Sequence, residues 1–243
     1  MHRSRLELEP GVWLDARRAV WLEESRVLAI ADLHLGYAWA HRQDGNLLPV
    51  SAREDTVERL SALVENYAPR EVALLGDIVH RAVLVPALQD ELCRLFSSFE
   101  KLATLRLILG NHDGGLASLL RECGLNVTLL RELRAGPHLL LHGDLQQPDA
   151  ANALINEAQE RGGRILIGHE HPAISLGDGV ASRVRCPCFV VGPQVLVLPA
   201  FSPWAAGTEI RARSGLSAFS REAAFDRVVA ILAGKLLPLP FPR

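Results

Sequence analysis

Between Arg26 and His171 the chain returns five times to one arrangement, a short aliphatic block that ends in glycine, carboxylate or imidazole. Arg26–Ala31 ends at Asp32, Glu71–Leu75 at Gly76-Asp77, and Leu105–Leu109 at Gly110-Asn111. His138–Leu141 ends at His142, and Arg164–Ile167 at Gly168-His169. Aliphatic runs of this length with little alternation predict strands buried on both faces. Helical stretches separate them. Ser51-Ala52-Arg53-Glu54 reads as a capping box that opens a helix to about Asn66, stopped before Pro69. Pro86 suits the first turn of a helix to about Phe99, and Gly115–Glu122 and Asp149–Gln159 predict two more. Strands alternating with helices give an α/β fold. Ahead of them, Val12–Leu14 and Ala19–Leu22 flank a polar Asp15–Arg18 turn and predict a hairpin. Behind them, Val180–Val197 is strand-like, and Pro238, Pro240 and Pro242 predict an irregular tail. No repeat, low-complexity tract or linker interrupts the chain, so residues 1–243 are expected to form a single domain.

Composition narrows the class without choosing a function. Hydrophobic residues make up 49% and charged residues 22%, the balance of an ordinary globular protein. A net charge of −2 excludes a broad basic surface, though not a local arginine-lined groove. No apolar run approaches the roughly 18–20 residues a membrane helix needs. The first residues are charged where a signal peptide would be apolar, so a cytoplasmic location with no membrane partner is expected. Cys93, Cys123, Cys186 and Cys188 lack the spacing of a disulfide framework or a zinc site and are expected to be free thiols.

The polar clusters carry the chemistry. In order they are Asp32-Leu33-His34, Gly76-Asp77-Ile78-Val79-His80, Gly110-Asn111-His112-Asp113, His142-Gly143-Asp144 and Gly168-His169-Glu170-His171. Asp and Asn oxygens mixed with imidazole suit borderline divalent ions such as Mn²⁺, Fe²⁺ or Zn²⁺. In an extended segment residues i and i+2 point the same way, so Asp32 with His34, and His169 with His171, can each present two ligands together. Glycines beside them allow tight turns and close backbone approach. A single Asp or His of this kind is more often structural than a ligand. Five clusters, each following a predicted strand, are not explained that way, because ligands collect beyond the carboxyl ends of strands in α/β sheets.

The series D-x-H, G-D-x-x-H, G-N-H-D, H-G-D, G-H-x-H resembles the signature of the calcineurin-like metallophosphoesterases across residues 32 to 171. The wider text is similar to the bacterial DNA-ligase-associated endonucleases of that superfamily. That similarity lies in the hairpin with Trp21, Ala31-Asp32-Leu33-His34-Leu35-Gly36, the Arg42…Gly45…Pro49 segment, Leu75–His80, and Leu198–Pro203.

The resemblance implies a four-layer αββα sandwich of the metallo-dependent phosphatase type. It implies two divalent metal ions, Mn²⁺ first, with Fe or Zn as alternatives. Asp32, His34 and His171 would hold one ion, Asp77 would bridge, and Asn111, His142 and His169 would complete the second site. His112 would be the catalytic histidine and Asp113 the acid that orients it. His80 stands where an aspartate is commoner, and its role, like that of Arg42, is open between the substrate side and structure. Metals held in this way polarise a phosphoryl oxygen and activate water, so phosphodiester hydrolysis is expected. DNA is the expected substrate, with a functional link to a DNA ligase in repair. Hydrolysis of a small phosphodiester, phosphomonoester or nucleotide is the alternative, and a non-catalytic scaffold a remote one, since His112 and every ligand are intact. Trp13, Trp21, Trp39 and Trp204 could stack on bases, and Arg183, Arg185, Arg211 and Arg213 could touch phosphates; packing and solvated surface are the favoured readings. Trp39 and His41 are the better candidates for lining a substrate cleft.

Overall fold

The structure is a computed structural model describing residues 3–46, 52–81, 85–99, 102–125, 127–177, 183–205, 207–210 and 215–242. Of residues 52–55 and 87 it describes the backbone alone. Strands β1 (Arg5–Glu9), β2 (Val12–Asp15), β3 (Ala19–Leu22) and β4 (Val27–Ala31) make an antiparallel meander. Strands β5 (Glu71–Leu75), β6 (Thr104–Ile108) and β7 (Leu129–Leu130) then add to β4 in parallel. The second sheet contains β8 (Glu132–Ala135), β9 (His138–Leu141), β10 (Ile165–Ile167), β11 (Pro172–Gly177), β12 (Arg183–Val191), β13 (Val195–Val197) and β14 (Thr208–Glu209). Its order is β14-β11-β12-β13-β10-β9-β8, and β15 (Arg227–Leu232) and β16 (Lys235–Pro240) branch from β12. The helices are α1 (Tyr37–Gln43), α2 (Ala52–Tyr67), α3 (Pro86–Phe99), α4 (Leu116–Glu122), α5 (Pro148–Glu160) and α6 (Ala218–Glu222).

Period-two alternation sorts the strand residues into three packed layers. Leu28, Ile30, Val72, Leu74 and Leu107 face α2, α3 and α4, where Leu60, Leu63, Leu92, Phe99 and Leu119 meet them. Their neighbours Ala29, Ala31, Ala73, Leu75 and Ile108 face the second sheet, packing with Leu140, Leu166, Phe189, Leu196 and Val229. The outer face of that sheet, Leu139, Ile165, Ile167, Val195 and Val228, is covered by α5 and α6 through Ala151, Ile155 and Phe219. The result is the αββα sandwich. Each large aliphatic side chain buried here contributes about 1.5–3 kcal/mol, so the central strands are the rigid part on which loops can be held.

The hairpin is tied to α2 by a buried carboxylate. Asp15, 2% exposed, accepts from Arg17 Nε at 2.9 Å, Arg17 Nη2 at 2.7 Å and the Tyr67 hydroxyl at 2.9 Å. Arg17 also donates to the carbonyl of Ala62 and to Asn66. Burial pushes the Asp15 carboxyl up, but the Arg17 bonds outweigh it and hold the group below its ordinary 3.8. A depressed carboxyl contributes stability that is present at neutral pH and lost as the pH falls through the folded value. Asp15→Ala should therefore cost about 2–4 kcal/mol near neutrality and much less in acid, once the pH has fallen through the lowered folded value. Urea unfolding at both pH values checks this, and equal losses at the two would show that the carboxylate charge is not what matters.

The predicted elements are found with small shifts at their ends, except at the C-terminus. The tail is ordered: β16 pairs antiparallel with β15, Pro238 opposite Val229 and Pro240 opposite Arg227. The amide of Leu236 points away from β15, to the carbonyl of Arg3, so the nitrogens of Pro238 and Pro240, at the same parity, also face outward. An edge strand can carry proline there because no ladder bond is lost. Ser51 of the predicted capping box, Pro49, residues 180–182, Arg211 and Arg213 lie outside the described residues. The four cysteines are free, Cys186 and Cys188 buried. Among the described residues no helix is long and apolar enough to cross a membrane.

Candidate metal centre

Because β4, β5 and β6 run parallel, and β9 and β10 run parallel, the segments that follow them emerge together at their carboxyl ends. Asp32 and His34 follow β4, Asp77 follows β5, Asn111 follows β6, His142 follows β9, and His169 and His171 follow β10. The loops are stitched to one another: Asp32 N donates to the carbonyl of Gly76 at 3.2 Å, His34 N to that of Asp77 at 2.9 Å, and Gly168 N to that of His142 at 2.9 Å. Two further bonds join the halves, from Phe201 N to Ala31 O at 2.7 Å and from Ser202 N to Asp32 O at 3.0 Å.

The backbone at these residues is left-handed, not extended. Among the described residues nine non-glycine positions have positive φ, and five of them are Asp32 (56°), His34 (47°), Asp77 (47°), His169 (65°) and His171 (45°). The expectation that i and i+2 pair as in a strand is corrected accordingly. Asp32 and His34 converge because the chain turns in the left-handed region at each of them, as it does at His169 and His171. Such residues cost on the order of 1–3 kcal/mol each and persist where the surroundings over-determine them. Two glycines allow the close approach. A Cβ on Gly76, which sits at φ +74°, would run into the His142 ring, and one on Gly110 would overlap the amide and carboxylate of Asp77.

Besides a group made of His34, His80 and His112, two ligand-capable clusters result, and they share one carboxylate. Asp32, His34, Asp77 and His171 form the first, and Asp77, His142 and His169 the second. In the first, the Nε2 atoms of His34 and His171 are 3.2 Å apart, with Asp32 Oδ1 3.4 Å from His171 and Asp77 Oδ2 3.9 Å from His34. In the second, His142 Nε2 is 3.2 Å from His169 Nδ1 and 3.4 Å from Asp77 Oδ1. Asn111 Oδ1 lies 3.0 Å from the first of these nitrogens and 3.1 Å from the second. His142 Nδ1 is 3.0 Å from the carbonyl of Leu75, so its proton is committed there and Nε2 turns a lone pair to the cluster. Lone pairs gathered this closely repel unless a proton or cation lies among them, so these residues fit a metal centre, and the N/O donor set fits Mn²⁺, Fe²⁺ or Zn²⁺.

Without metal, burial and the buried carboxylates act on these groups in different directions. Burial pushes His34 down to about 3 and also lowers His169, leaving both as neutral imidazoles. His171 is raised: burial opposes this, but the hydrogen bond and charge of Asp32 prevail. Asp32, fully buried, is held below the ordinary carboxylate value because His171, His142 and His34 outweigh its desolvation.

The remaining predicted residues take different places. His112 stands at the exposed mouth, its Nε2 3.9 Å from Asp77 Oδ2. Its Nδ1 is 2.8 Å from the carbonyl of His80, and its amide donates to Asp77 Oδ1 at 3.0 Å. Asp113 does not orient that ring, contrary to expectation. Its Oδ1 accepts from the amides of Ile78 and Val79, at 2.9 and 3.2 Å, and its Oδ2 from Gly110 at 2.8 Å. It therefore fastens the third loop to the second, and the ring is held by a backbone carbonyl instead. Burial pushes the Asp113 carboxyl up to about 6. His80 lies against His34 and stacks on His112, with centroids 5.5 and 5.6 Å away, and burial lowers it to about 4. Arg42 sits in the last turn of α1 with its guanidinium 5.2 Å from the Trp39 ring centre, outside the ligand clusters.

Several positioning residues escaped the sequence reading. Glu170, buried between the two histidines, turns away from the ligands and accepts from Leu216 N, Ser217 N and Ser217 Oγ at 2.8, 2.9 and 2.6 Å. Arg18 spans to the second sheet's exit and donates to the carbonyls of Ala200 and Ser202 at 3.0 and 2.7 Å. Tyr37 touches both His41 and His80, with centroids 4.4 and 4.5 Å away. Of the tryptophans, Trp21 stacks on Tyr67 and Trp13 bonds Glu23, whereas Trp204 faces Tyr37.

No curated protein matches the chain. Among solved structures, the Pseudomonas putida nuclease MPE superposes with a TM-score of 0.69 at 26% identity, covering 98% of this chain and 100% of that one. The sequence model for calcineurin-like phosphoesterase matches residues 25–187, which contain all the ligand positions and both strand sets that carry them. With two thirds of its length matched in this way, the chain belongs to the calcineurin-like phosphoesterases, metal-dependent hydrolases of phosphoester bonds.

Proposed function

We propose that the protein is a nuclease that hydrolyses phosphodiester bonds in DNA at a two-metal centre, loaded with Mn²⁺ in preference to Fe or Zn. The observation that carries this reading is the position of Asp77, whose two oxygens face different clusters, Oδ2 toward His34 and Oδ1 toward His142. In this reading Asp32, His34 and His171 hold one ion, Asn111, His142 and His169 the other, and Asp77 lies between. Divalent ions at such a centre supply Lewis-acid polarisation of the phosphoryl group and a water of lowered pKa.

The chain's own residues do the rest. Leu75 O and the Asp32 carboxylate set the orientations of His142 and of the His169 amide. Asp113 fixes the third loop so that His112 projects at the mouth. There His112, with its Nδ1 proton held by His80 O, would as an imidazolium donate its Nε2 proton to the phosphoryl oxygens or to the departing oxygen. Nuclease action is supported by the likeness to the Pseudomonas putida enzyme. A role in repair beside a DNA ligase is supported by the segments around Trp21, Gly36 and Leu198–Pro203 that resemble ligase-associated endonucleases.

Chelation should reduce turnover to background and Mn²⁺ should restore it. The Mn²⁺-loaded protein should then cleave single-stranded DNA and hydrolyse bis(p-nitrophenyl) phosphate. Activity confined to p-nitrophenyl phosphate, a monoester, would overturn the nuclease reading.

A further inference from the structure

We propose that the parallel rings of Tyr37 and Trp204 form a subsite that stacks one nucleobase of the strand whose phosphate occupies the metal centre. The inference rests on the nuclease reading and adds to it a binding site outside the ligand clusters.

The two rings are 4° from parallel with centroids 6.1 Å apart. A base inserted between two rings needs roughly twice the stacking rise of about 3.4 Å, or about 7 Å along the ring normal, so the rings must part by at least about 1 Å to admit it. Both rings are half-buried. Tyr37 opens α1 three residues after His34 and is backed by His41 and His80. Trp204 follows the segment that Phe201 N and Ser202 N fasten to Ala31 and Asp32, and its amide donates to Ser202 Oγ at 3.3 Å. Arg18 clamps the carbonyls on either side of Phe201. Both walls are therefore anchored to the backbone of the first metal-ligand motif, at a fixed remove from the phosphate.

The direction of the slot is also informative. His112, His80, Tyr37 and Trp204 form a continuous aromatic path, with centroid steps of 5.6, 4.5 and 6.1 Å. It starts at the mouth of the metal centre, and Tyr37 and Trp204 at its far end border a small cleft lined also by His34, Trp39 and Pro203. A strand laid with its phosphate at the metals would direct a neighbouring base along this path. Recognition by two ring faces tolerates every base, because each has a π-face, and gives little sequence preference.

The test compares a short oligothymidylate with an abasic strand of the same length and charge, on the Mn²⁺-loaded protein. Binding is read by tryptophan quenching with phosphorothioate-linked strands, and cleavage by kcat/KM with ordinary ones. The base-bearing strand should be favoured by about tenfold or more. Tyr37→Ala and Trp204→Ala should each bring that ratio toward one, and Tyr37→Phe and Trp204→Phe should keep most of it. A wild-type ratio near one overturns the subsite without any variant, as does a ratio that both alanine variants leave unchanged. Cleavage of both strands with no base dependence removes the subsite and leaves the nuclease reading standing. Hydrolysis of simple diesters with cleavage of neither strand removes the nuclease reading, and base-independent quenching then removes the subsite as well.

Discussion

Asp77→Asn should reduce turnover by about 10³-fold or more and leave at most one tightly held metal per chain. The substitution keeps the volume of the side chain and one acceptor oxygen. It removes the charge shared by the His34 and His142 clusters, and it turns an amide N–H toward groups that present lone pairs. It also weakens a second duty, since Asp77 Oδ1 accepts the amide of His112 and so helps to set the loop that carries the histidine. Loss of stability should not accompany the loss of activity. Without metal, Asp77 and Asp32 are buried carboxylates in one ligand cluster, and neutralising one relieves their repulsion. The metal-free variant should therefore melt no lower than the metal-free parent. Metal content by mass spectrometry, turnover and a thermal melt check the three parts. Two metals per chain with activity within tenfold of the parent would remove Asp77 from the bridging position. Gly110→Ala should lose activity by another route, because its Cβ would occupy space held by the Asp77 amide and carboxylate.

What could be read from the sequence follows the range of each interaction. The central strands β4, β5, β6, β9 and β10 are local aliphatic runs, so they were legible, and the proposed ligands were legible because each lies within a few residues of the end of one of them. The left-handed backbone at Asp32, His34, Asp77, His169 and His171 was not, since no residue type there requires it; it arises from packing of loops that are far apart in the chain. Asp113 shows the same limit. Its neighbour in sequence is His112, but its hydrogen bonds to Ile78 and Val79 cross more than thirty residues. Glu170 was hidden because alternation between two histidines gives no sign of what its outward face meets, and Ser217 lies 47 residues away. The helices α1 and α6, seven and five residues long, are too short to establish a helical period. The prolines of β16 suggest an irregular tail until the edge position of the strand supplies the reason they are tolerated.

The largest effect expected with both metals retained is that of His112→Ala, a fall of about 10²–10⁴-fold in kcat. His112 is in neither of the two clusters joined by Asp77, and its ring nitrogen is 3.9 Å from the shared carboxylate, so its removal leaves the seven proposed ligands in place. What it takes away is a donor at the mouth, aimed by a backbone carbonyl rather than by a carboxylate. That difference bears on the chemistry. A carbonyl partner takes the Nδ1 proton, so Nε2 can donate only when the ring carries both protons, as an imidazolium. The geometry suits a proton donor to the leaving oxygen, and the leaving group exposes that role. An alkoxide-like oxygen, such as the sugar oxygen of a nucleic acid strand, needs a proton as the bond breaks, whereas p-nitrophenolate departs without one. The loss in His112→Ala should accordingly be much greater on a DNA strand than on methyl p-nitrophenyl phosphate, with KM changed little on either. Equal losses on both would move His112 from the leaving oxygen to the phosphoryl oxygens, where stabilisation does not depend on the leaving group.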